Sequence, residues 1–402
     1  MLKLSLKNIF QKPLNAILSL LLFALGTGLI SLLLLVNKQL EEKFDKNLAN
    51  IDLVLGAKGS PLQLILCAMY HIDAPTGNIK LEEVKPFLNP NHPLFSAAVP
   101  LSLGDSYQGH RIIGTNASFP ALYDAKIKEG RFFEKTLEAT LGANVAAILK
   151  LKIGDTFKSN HGLVNDGLDH EHEQKFQVVG ILEPTGAVID ELILTPLESI
   201  WAVHEEKHSE EEAHEEHETE EKMITSLLLR YKSKTNFQAL NLPRNINENT
   251  NMQAASPAIE LNRLYSMMGV GEKTLRVLAI VIILVSGISI FIALFNSLKE
   301  RKYELSLLRI MGASKQKLFF LILFEAFILS LLGCVIGLIF SHLAMKIIAG
   351  QMQNAYRYTF DANRFLPEEI YLLFAAVGIG LLAGLIPAIM AYRTGIAKVL
   401  LR

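Results

Sequence analysis

The sequence predicts a membrane protein with four transmembrane helices and one bilobed α+β domain on the extracytoplasmic side. Half of the 402 residues are hydrophobic, and the charged residues, 20% of the chain, are missing from several long windows. Four of these windows are long enough to cross a bilayer core of about 30 Å, which takes about 20 apolar residues in a helix. The mixed sequence between the first two windows is long enough to form a core of its own.

The four apolar windows are the predicted spans. They are residues 14–36, 277–295, 318–345 and 371–391. The first follows a basic start, as a signal peptide would, but its apolar run is too long and no A-x-A-like cleavage site follows it. We therefore expect the first window to be retained as a transmembrane helix.

Lys and Arg near the span ends predict the orientation. Residues 1–13 carry three of them, residues 296–317 carry six, and the tail after Ala391 carries three. The longer loop 346–370 carries three. We therefore expect both termini and 296–317 on the cytoplasmic side of a cell (inner) membrane, and the large domain outside.

Three regions follow from this arrangement. Residues 1–36 form the N-terminal tail and first span, 37–275 the extracytoplasmic domain, and 276–402 the region with the other three spans. Apolar residues at helical spacing predict that 37–50 and 258–275 extend the first two spans outward as a stalk.

Within the extracytoplasmic domain, runs of strand and helix type alternate, with a lobe boundary predicted near residue 140. Strand-like runs lie at Ala97–Leu103, Arg111–Gly114, Phe176–Leu182, Leu192–Leu194 and Ile224–Tyr231, and helix-like runs at Leu81–Leu88 and Pro196–Val203. Turn signals separate these runs. The pattern predicts an α+β domain without a clear internal repeat.

Two G-x-x-x-G pairs and one acid stand out inside the spans. Gly333 with Gly337, and Gly380 with Gly384, have the spacing that lets helix backbones approach closely in lipid. Glu325 is the one acidic residue within a predicted span. A charge there is costly, so we expect it to be protonated or hydrogen-bonded to a neighbouring helix as a structural polar group. A proton-relay role is the alternative.

Net charge and cysteine content exclude two classes of protein. The formal net charge of −1 argues against a nucleic-acid binder. Cys67 lies in the predicted soluble part and Cys334 in an apolar run, so no disulfide framework is expected.

Four stretches carry a resemblance to a known family. KERKYELSLLRIMGASKQKLFFLILFEAFILSLLG at 299–333, the C-terminal AGLIPAIMAYRTGIAKVLLR and the basic lead into the first span resemble the FtsX-like permease family. RIIGTNASFPALYDAKIKEGRFF at 111–133 and the segment 141–182 resemble the extracytoplasmic core domain of MacB-type ABC transporters.

The resemblance implies the permease subunit of an ABC-type, ATP-driven machine. In such permeases the segment that corresponds to 296–317 docks on the ATPase and passes its closing motion to the spans. The motif positions are Glu304, Arg309, Gly312 and Ala313, while Ser306 replaces the usual glycine. Glu325 also fits the family pattern.

The resemblance also implies the partners of the chain. They are an ABC ATPase subunit, a second permease chain in a homodimer or related heterodimer, membrane lipids and a periplasmic partner. The sequence has no G-x-x-x-x-G-K-[ST] phosphate loop, and the nearest string, 269–274, has the wrong spacing. We therefore expect no cofactor bound directly and no catalysis by this chain, with ATP used by a separate subunit.

A histidine- and acid-rich insert interrupts the extracytoplasmic domain. Residues 204–222 contain four His and ten Glu, and a second patch of this type lies at 161–173. Imidazoles and carboxylates are good ligands for zinc. The candidate ligands are His204, His208, His214, His217, His170 and His172.

Two interpretations of these tracts stay open: weak, exchangeable zinc binding, or a solvated charge run. His204 to His208 also matches the H-E-x-x-H string of zinc proteases. We reject a protease because the tract has almost no apolar residues with which to build a cleft around the metal.

Two classes of function remain. In the first, ATP-driven motion serves export or extraction of a lipid, lipoprotein, peptide or small compound. In the second, the chain is a membrane scaffold that regulates an extracytoplasmic partner enzyme and transports nothing.

Overall fold

A computed structural model of the chain describes residues 13–161, 171–211, 222–233, 235–356 and 360–393. It forms two compact units. The four-helix unit contains the described residues up to Leu40 and from Met267, and the α+β domain is Glu41–Ser266.

Helices and strands are numbered along the chain. The α-helices are α1 Pro13–Asn47, α2 Pro61–Tyr70, α3 Leu81–Val84, α4 Ser118–Leu122, α5 Ala143–Leu149, α6 Leu197–Glu211, α7 Phe237–Asn249, α8 Pro257–Glu300, α9 Lys302–Ile310, α10 Lys315–Tyr356 and α11 Pro367–Tyr392. The strands are β1 Leu53–Ala57, β2 Ile79–Lys80, β3 Phe95–Tyr107, β4 His110–Thr115, β5 Ile127–Gly130, β6 Glu138–Leu141, β7 Thr156–His161, β8 Glu171–Leu182, β9 Ile193–Pro196, β10 Met223–Ile224, β11 Ser226–Tyr231 and β12 Met252–Ala255. Short 3₁₀ turns lie at Lys85–Leu88 and Val188–Glu191.

The four predicted spans are present as helices. Helices α1, α8, α10 and α11 are each long and apolar enough to cross a membrane. Helix α1 continues to Asn47 and α8 begins at Pro257, so the predicted helical extensions of the first two spans are confirmed.

Close packing at both G-x-x-x-G pairs is confirmed. A Cβ atom on Gly337 would lie 2.2 Å from Thr27 Oγ1 and 2.6 Å from the Ala24 carbonyl oxygen, so α1 and α10 meet at their backbones. A Cβ on Gly380 would lie 2.3 Å from Ser330 Cβ. Glycine is therefore required where α10 contacts α1 and where α11 contacts α10.

The α+β domain is built on one mixed sheet. Its strand order is β12-β1-β11-β3-β4-β9-β6-β8-β5, and β7 pairs with both β3 and β8. The five predicted strand runs correspond to β3, β4, β8, β9 and the pair β10–β11, and the two predicted helical runs to α3 with its 3₁₀ turn and to α6. The α+β class is thus confirmed.

Two apolar cores lie on this sheet. One gathers side chains of β1, β11 and β12 with the first part of β3, including Leu53, Phe95 and Leu227. The other lies among six strands whose pairings close into a ring, β3-β4-β9-β6-β8-β7, and contains Phe157, Phe176 and others.

The predicted lobe boundary near residue 140 is wrong. Residues 138–141 form β6, which pairs with β8 and β9 inside the ring. The chain instead passes from one core to the other along β3, whose first half pairs with β11 and whose second half pairs with β4 and β7. A long strand shared by two cores has no linker composition, so the sequence does not mark this boundary.

Candidate functional site

The segment between α8 and α10 is a short helix closed by a glycine cap, and residues 301–314 are named the elbow. The Gly312 N–H donates to the Arg309 carbonyl at 3.1 Å, and the Ala313 N–H donates to the Leu308 carbonyl at 3.0 Å. This pair of bonds is a Schellman motif. Gly312 has a φ of 97°, which residues with a side chain rarely adopt. The Gly-Ala pair therefore ends α9 and turns the chain into α10.

One face of the elbow is packed and the other is exposed. Leu305 is 1% exposed and packs against buried residues near the ends of α8, α10 and α11: Leu298, Leu318, Leu321, Ile322, Ala388 and Ala391. Tyr303, Leu307, Ile310 and Met311 are exposed, Met311 to 77%. These exposed apolar side chains are available for contact with another molecule or with lipid.

The residues predicted to couple to an ATPase occupy different environments. The Glu304 side chain is 59% exposed, and its Oε2 lies 3.2 Å from Arg301 Nε. Arg309 is half-buried in the last turn of α9, where a cation stabilises the helix C-terminus. Ser306 is buried and donates to its own helix at the Lys302 carbonyl, 2.9 Å away, so α9 accommodates serine where the family has glycine.

Glu325 contacts the elbow. It is 2% exposed, and its Oε1 lies 3.5 Å from Arg301 Nη1. Arg301 precedes α9 and also contacts Glu304, so one guanidinium links the first turn of the elbow to α10. In the sequence Arg301 is one of six basic residues in 296–317, and no pattern there pairs it with Glu325.

A second polar cluster links α1, α10 and α11. Ser31 Oγ donates to Glu369 Oε1 at 2.6 Å and lies 2.8 Å from Ser341 Oγ. His342 Nε2 lies 3.3 Å from the same Glu369 oxygen. Such bonds hold helices together in an apolar environment, and the sequence analysis did not anticipate them.

In the α+β domain, two of the predicted metal ligands meet at a third residue. His172 on β8 and His204 on α6 both face Asp105 on β3. Their Nε2 atoms lie 3.7 Å and 3.4 Å from Asp105 Oδ1, and the imidazole ring centroids are 5.1 Å apart. These three residues are named the Asp-His-His cluster.

The Asp105 carboxylate is buried and held in place. Its side chain is 0% exposed. Strand β7 pairs with β3 and β8, and Ser159 on β7 donates from Oγ to Asp105 Oδ2 at 3.3 Å. Burial alone would raise the pKa of Asp105, but the interactions with His172 and His204 outweigh burial and hold this pKa below its usual range.

The structure does not describe the side chains of the other four candidate ligands, so their position relative to this cluster is not assigned. His170, His214 and His217 lie outside the described residues. His208 lies within α6, and its side chain is likewise not described. Asp105 was missed because its two partners are far along the chain. The pairing of β7 with both β3 and β8 places Asp105 near His172, and His204 is added by α6, which contacts β3 and β8.

Comparisons with known protein families match both units. Residues 16–241 match the MacB-like periplasmic core domain, and residues 276–396 match the FtsX-like permease C-terminal region.

Curated relatives are ABC transporter proteins. The chain is 26% identical over 320 residues to the pyoverdine export ATP-binding/permease protein PvdT of Pseudomonas entomophila. This match covers 77% of this chain and 45% of that protein. It is 27% identical over 133 residues to the ABC transporter permease YtrF of Bacillus subtilis, covering 30% of each. The chain therefore spans less than half the length of these relatives.

Among solved structures, the periplasmic region of MacB from Actinobacillus actinomycetemcomitans is similar to this chain. The match has 10% sequence identity and a TM-score of 0.34, and it covers 55% of this chain and 97% of that one.

Proposed function

The chain belongs to the ABC permease family that joins a MacB-like periplasmic core domain to an FtsX-like permease region, and from this membership we propose that it couples ATP hydrolysis by a separate ATPase to movement of its α+β domain. Members of this family work with an ATPase. The proposal assigns the elbow as the surface on which that ATPase docks.

The observation that carries the proposal is the connection of the elbow to the spans. Leu305 anchors α9 among the ends of α8, α10 and α11, and Arg301 connects its first turn to Glu325 on α10. A displacement of the exposed face, where Met311 lies, therefore pulls on three spans through packed and charged contacts. A loosely tethered loop would absorb the same displacement.

The test uses the full chain in lipid nanodiscs with the ABC ATPase that co-purifies with it. Spin labels are attached at Gln238→Cys in the α+β domain and Glu368→Cys at the start of α11, both exposed positions. Cys67 and Cys334 are buried, so they compete little for the label. We expect ATP to shift the distance distribution between the labels.

Two groups of variants distinguish docking of the ATPase on the elbow from transmission of its motion to the α+β domain. Arg309→Glu and Met311→Asp are expected to abolish co-purification with the ATPase. Glu325→Gln is expected to keep co-purification and ATP hydrolysis but to lose the ATP-dependent distance change. Arg244→Glu is the matched control, since Arg244 forms an exposed intrahelical pair with Glu248 in the α+β domain.

The proposal fails if the elbow variants bind the ATPase normally, or if ATP leaves the wild-type distance distribution unchanged. The scaffold alternative shares the ATP-driven motion. It is favoured if the moving protein activates an extracytoplasmic enzyme while vesicles show no ATP-dependent export.

For the substrate, we propose export or extraction of a lipid, lipoprotein, peptide or small compound at the outer side of the membrane. The relatives named for pyoverdine export support the small-compound class, although they are only about a quarter identical to this chain. ATP-dependent accumulation of a candidate compound inside inverted vesicles tests it, with Glu325→Gln as the inactive control.

For the topology, we propose that both termini and the elbow are cytoplasmic and that the α+β domain is extracytoplasmic, in the cell inner membrane. The six basic residues of 296–317 support this orientation. A single cysteine at exposed Lys317 should be shielded from an impermeant thiol reagent in intact cells, while one at exposed Gln238 should react. The reverse pattern would overturn the topology.

For assembly, we propose that two permease chains pair, as in the family's dimeric plan. In its most apolar window α8 is 33% buried, which leaves apolar surface for a second chain or for lipid. Native mass spectrometry from nanodiscs counts the permease chains in the active complex and so distinguishes a second chain from lipid. A single permease chain there would contradict the pairing.

A further inference from the structure

The Asp-His-His cluster has the composition and spacing of a metal site. We propose that Asp105, His172 and His204 bind one divalent transition-metal ion, with Zn²⁺ as the preferred ion. This inference does not depend on the proposed coupling to an ATPase.

The distances are compatible with one tetrahedral ion shared by the three side chains. The two N–O separations, 3.4 Å and 3.7 Å, exceed the usual N–H···O range of about 2.7–3.2 Å. Two ligands about 2.0–2.1 Å from a tetrahedral Zn²⁺ are about 3.3 Å apart. The three ligand atoms lie within 4.8 Å of one another, so one ion can be reached from all three after small side-chain shifts.

The donor set selects the class of ion. Two imidazole nitrogens and one carboxylate oxygen suit Zn²⁺, Cu²⁺ or Ni²⁺, whereas Mg²⁺ and Ca²⁺ prefer oxygen ligands alone. Ser159 occupies Asp105 Oδ2 and leaves Oδ1 directed at both histidines. Such a second contact orients a metal-binding carboxylate.

Burial distinguishes this cluster from a surface group of charges. The Asp105 and His172 side chains are 0% and 3% exposed, whereas His204 is 34% exposed. The site is therefore rigid on two sides, with access for an ion on the side of His204. Three protein ligands leave a fourth tetrahedral position for water.

The cluster contains one residue from each histidine-acid tract. His204 is the first residue of the tract 204–222, and His172 belongs to the patch 161–173. A strongly acidic tract attracts cations and raises their local concentration at the cluster. All three proposed ligands lie in the described part of the chain, and no other residue of either tract belongs to the proposed site.

The test titrates the full chain in detergent with Zn²⁺ against a chromophoric chelator, and then with Co²⁺, whose visible spectrum reports a tetrahedral site. We expect one tightly bound ion per chain above a background of weak ones. His204→Ala, at the most accessible ligand, should weaken the tight ion at least about 100-fold, and Ser159→Ala about 10-fold. Because Asp105 is buried, Asp105→Asn is used only if its Trp201 fluorescence matches that of the wild type.

The matched control replaces His208, His214 and His217 together by Ala. It should remove weak ions and leave the tight ion and the Co²⁺ spectrum unchanged. Loss of the tight ion in this control, its survival in His204→Ala, or no ion bound more tightly than about 10 µM would each overturn the assignment.

Discussion

The two units of the chain differ in the solvent around them and therefore in what decides the packing of their elements. In the four-helix unit, helices meet where side chains are absent, as at Gly337 against Thr27 and Ala24. In the α+β domain, large apolar side chains fill the space between elements, as Phe176 does inside the ring of strands. In lipid, burying an apolar group gains little over leaving it exposed, so backbone proximity and polar contacts decide the packing. In water, the burial itself is the driving force.

The comparison predicts first that removing buried volume damages the α+β domain. Phe176 is fully buried and stacks on Phe157 with ring centroids 5.5 Å apart. Phe176→Ala should lower the free energy of unfolding of this domain by about 3–5 kcal/mol. Trp201 is the one tryptophan of the chain, so its fluorescence during urea unfolding in detergent reports this domain selectively.

A matched control is Phe237→Ala, because that side chain is 78% exposed. It should change the free energy of unfolding by less than about 0.5 kcal/mol. An equal effect of both variants would show that burial does not dominate here.

The second prediction is that adding volume at a glycine contact damages the four-helix unit. Gly337→Leu should force α1 and α10 apart and destabilise their packing by about 3 kcal/mol. Cys334, one turn earlier on α10 and fully buried, reports this opening through its rate of reaction with a thiol reagent in a Cys67→Ser background.

Gly378→Leu serves as the control for this second variant, because a Cβ there meets no atom within 4 Å. It should leave the Cys334 reaction rate unchanged. If Gly337→Leu also left that rate unchanged, the close contact between α1 and α10 would not determine their packing.

The third prediction concerns the charged groups that supplement packing in the α+β domain. Glu138 accepts two bonds from Arg131, at 2.5 Å and 2.7 Å, and these lower its pKa to about 2. Because the folded-state pKa is depressed, this stabilisation is present above a pH of about 4.5 and is lost as the pH falls towards about 2.

Glu138→Gln should therefore lower the free energy of unfolding by about 1–2 kcal/mol at neutral pH, since Arg131 is partly exposed and screened. The gap between wild type and variant should close as the pH falls from about 5 to about 2. Urea unfolding followed by Trp201 fluorescence at several pH values measures it, and a gap that stays constant would contradict the assignment.

The smallest effect is expected at Gly312 in the elbow, because this substitution neither removes buried volume nor creates a close contact. Gly312→Ala meets open space but must keep a φ of 97°, so it should cost α9 about 1 kcal/mol. Hydrogen exchange of the α9 amides should rise about fivefold. Gly350→Ala within α10, also in open space, should show no such rise.

The same contrast explains what the sequence revealed. The spans are visible because a membrane helix needs a long uncharged window, and the glycine contacts follow from their spacing alone. In the α+β domain, several elements were missed. One of them is β1, because a short strand buried on both faces, such as Leu53–Ala57, lacks alternation of polar and apolar residues.

The candidate sites divide in the same way. The elbow lies within one local stretch, so the family resemblance assigned Glu304, Arg309 and Gly312 together as predicted coupling residues. The Asp-His-His cluster depends on strand pairing between distant segments, so only its two histidines were found, as members of a composition-biased tract. Glu325 was found as an isolated acid, while its partner Arg301 required the geometry at the start of α9.

The closed pairing of β3, β4, β9, β6, β8 and β7 has a consequence for how this domain can diversify. Each of these six strands has a hydrogen-bonded neighbour on both sides. An open sheet edge invites pairing with another chain, and a closed circuit of strands removes that hazard. In the described part of the chain, β12 and β5 end the sheet and keep one open side each. Residues added after β7 lie outside the circuit and leave its six strands paired, so this connection can change in length at little cost to the scaffold.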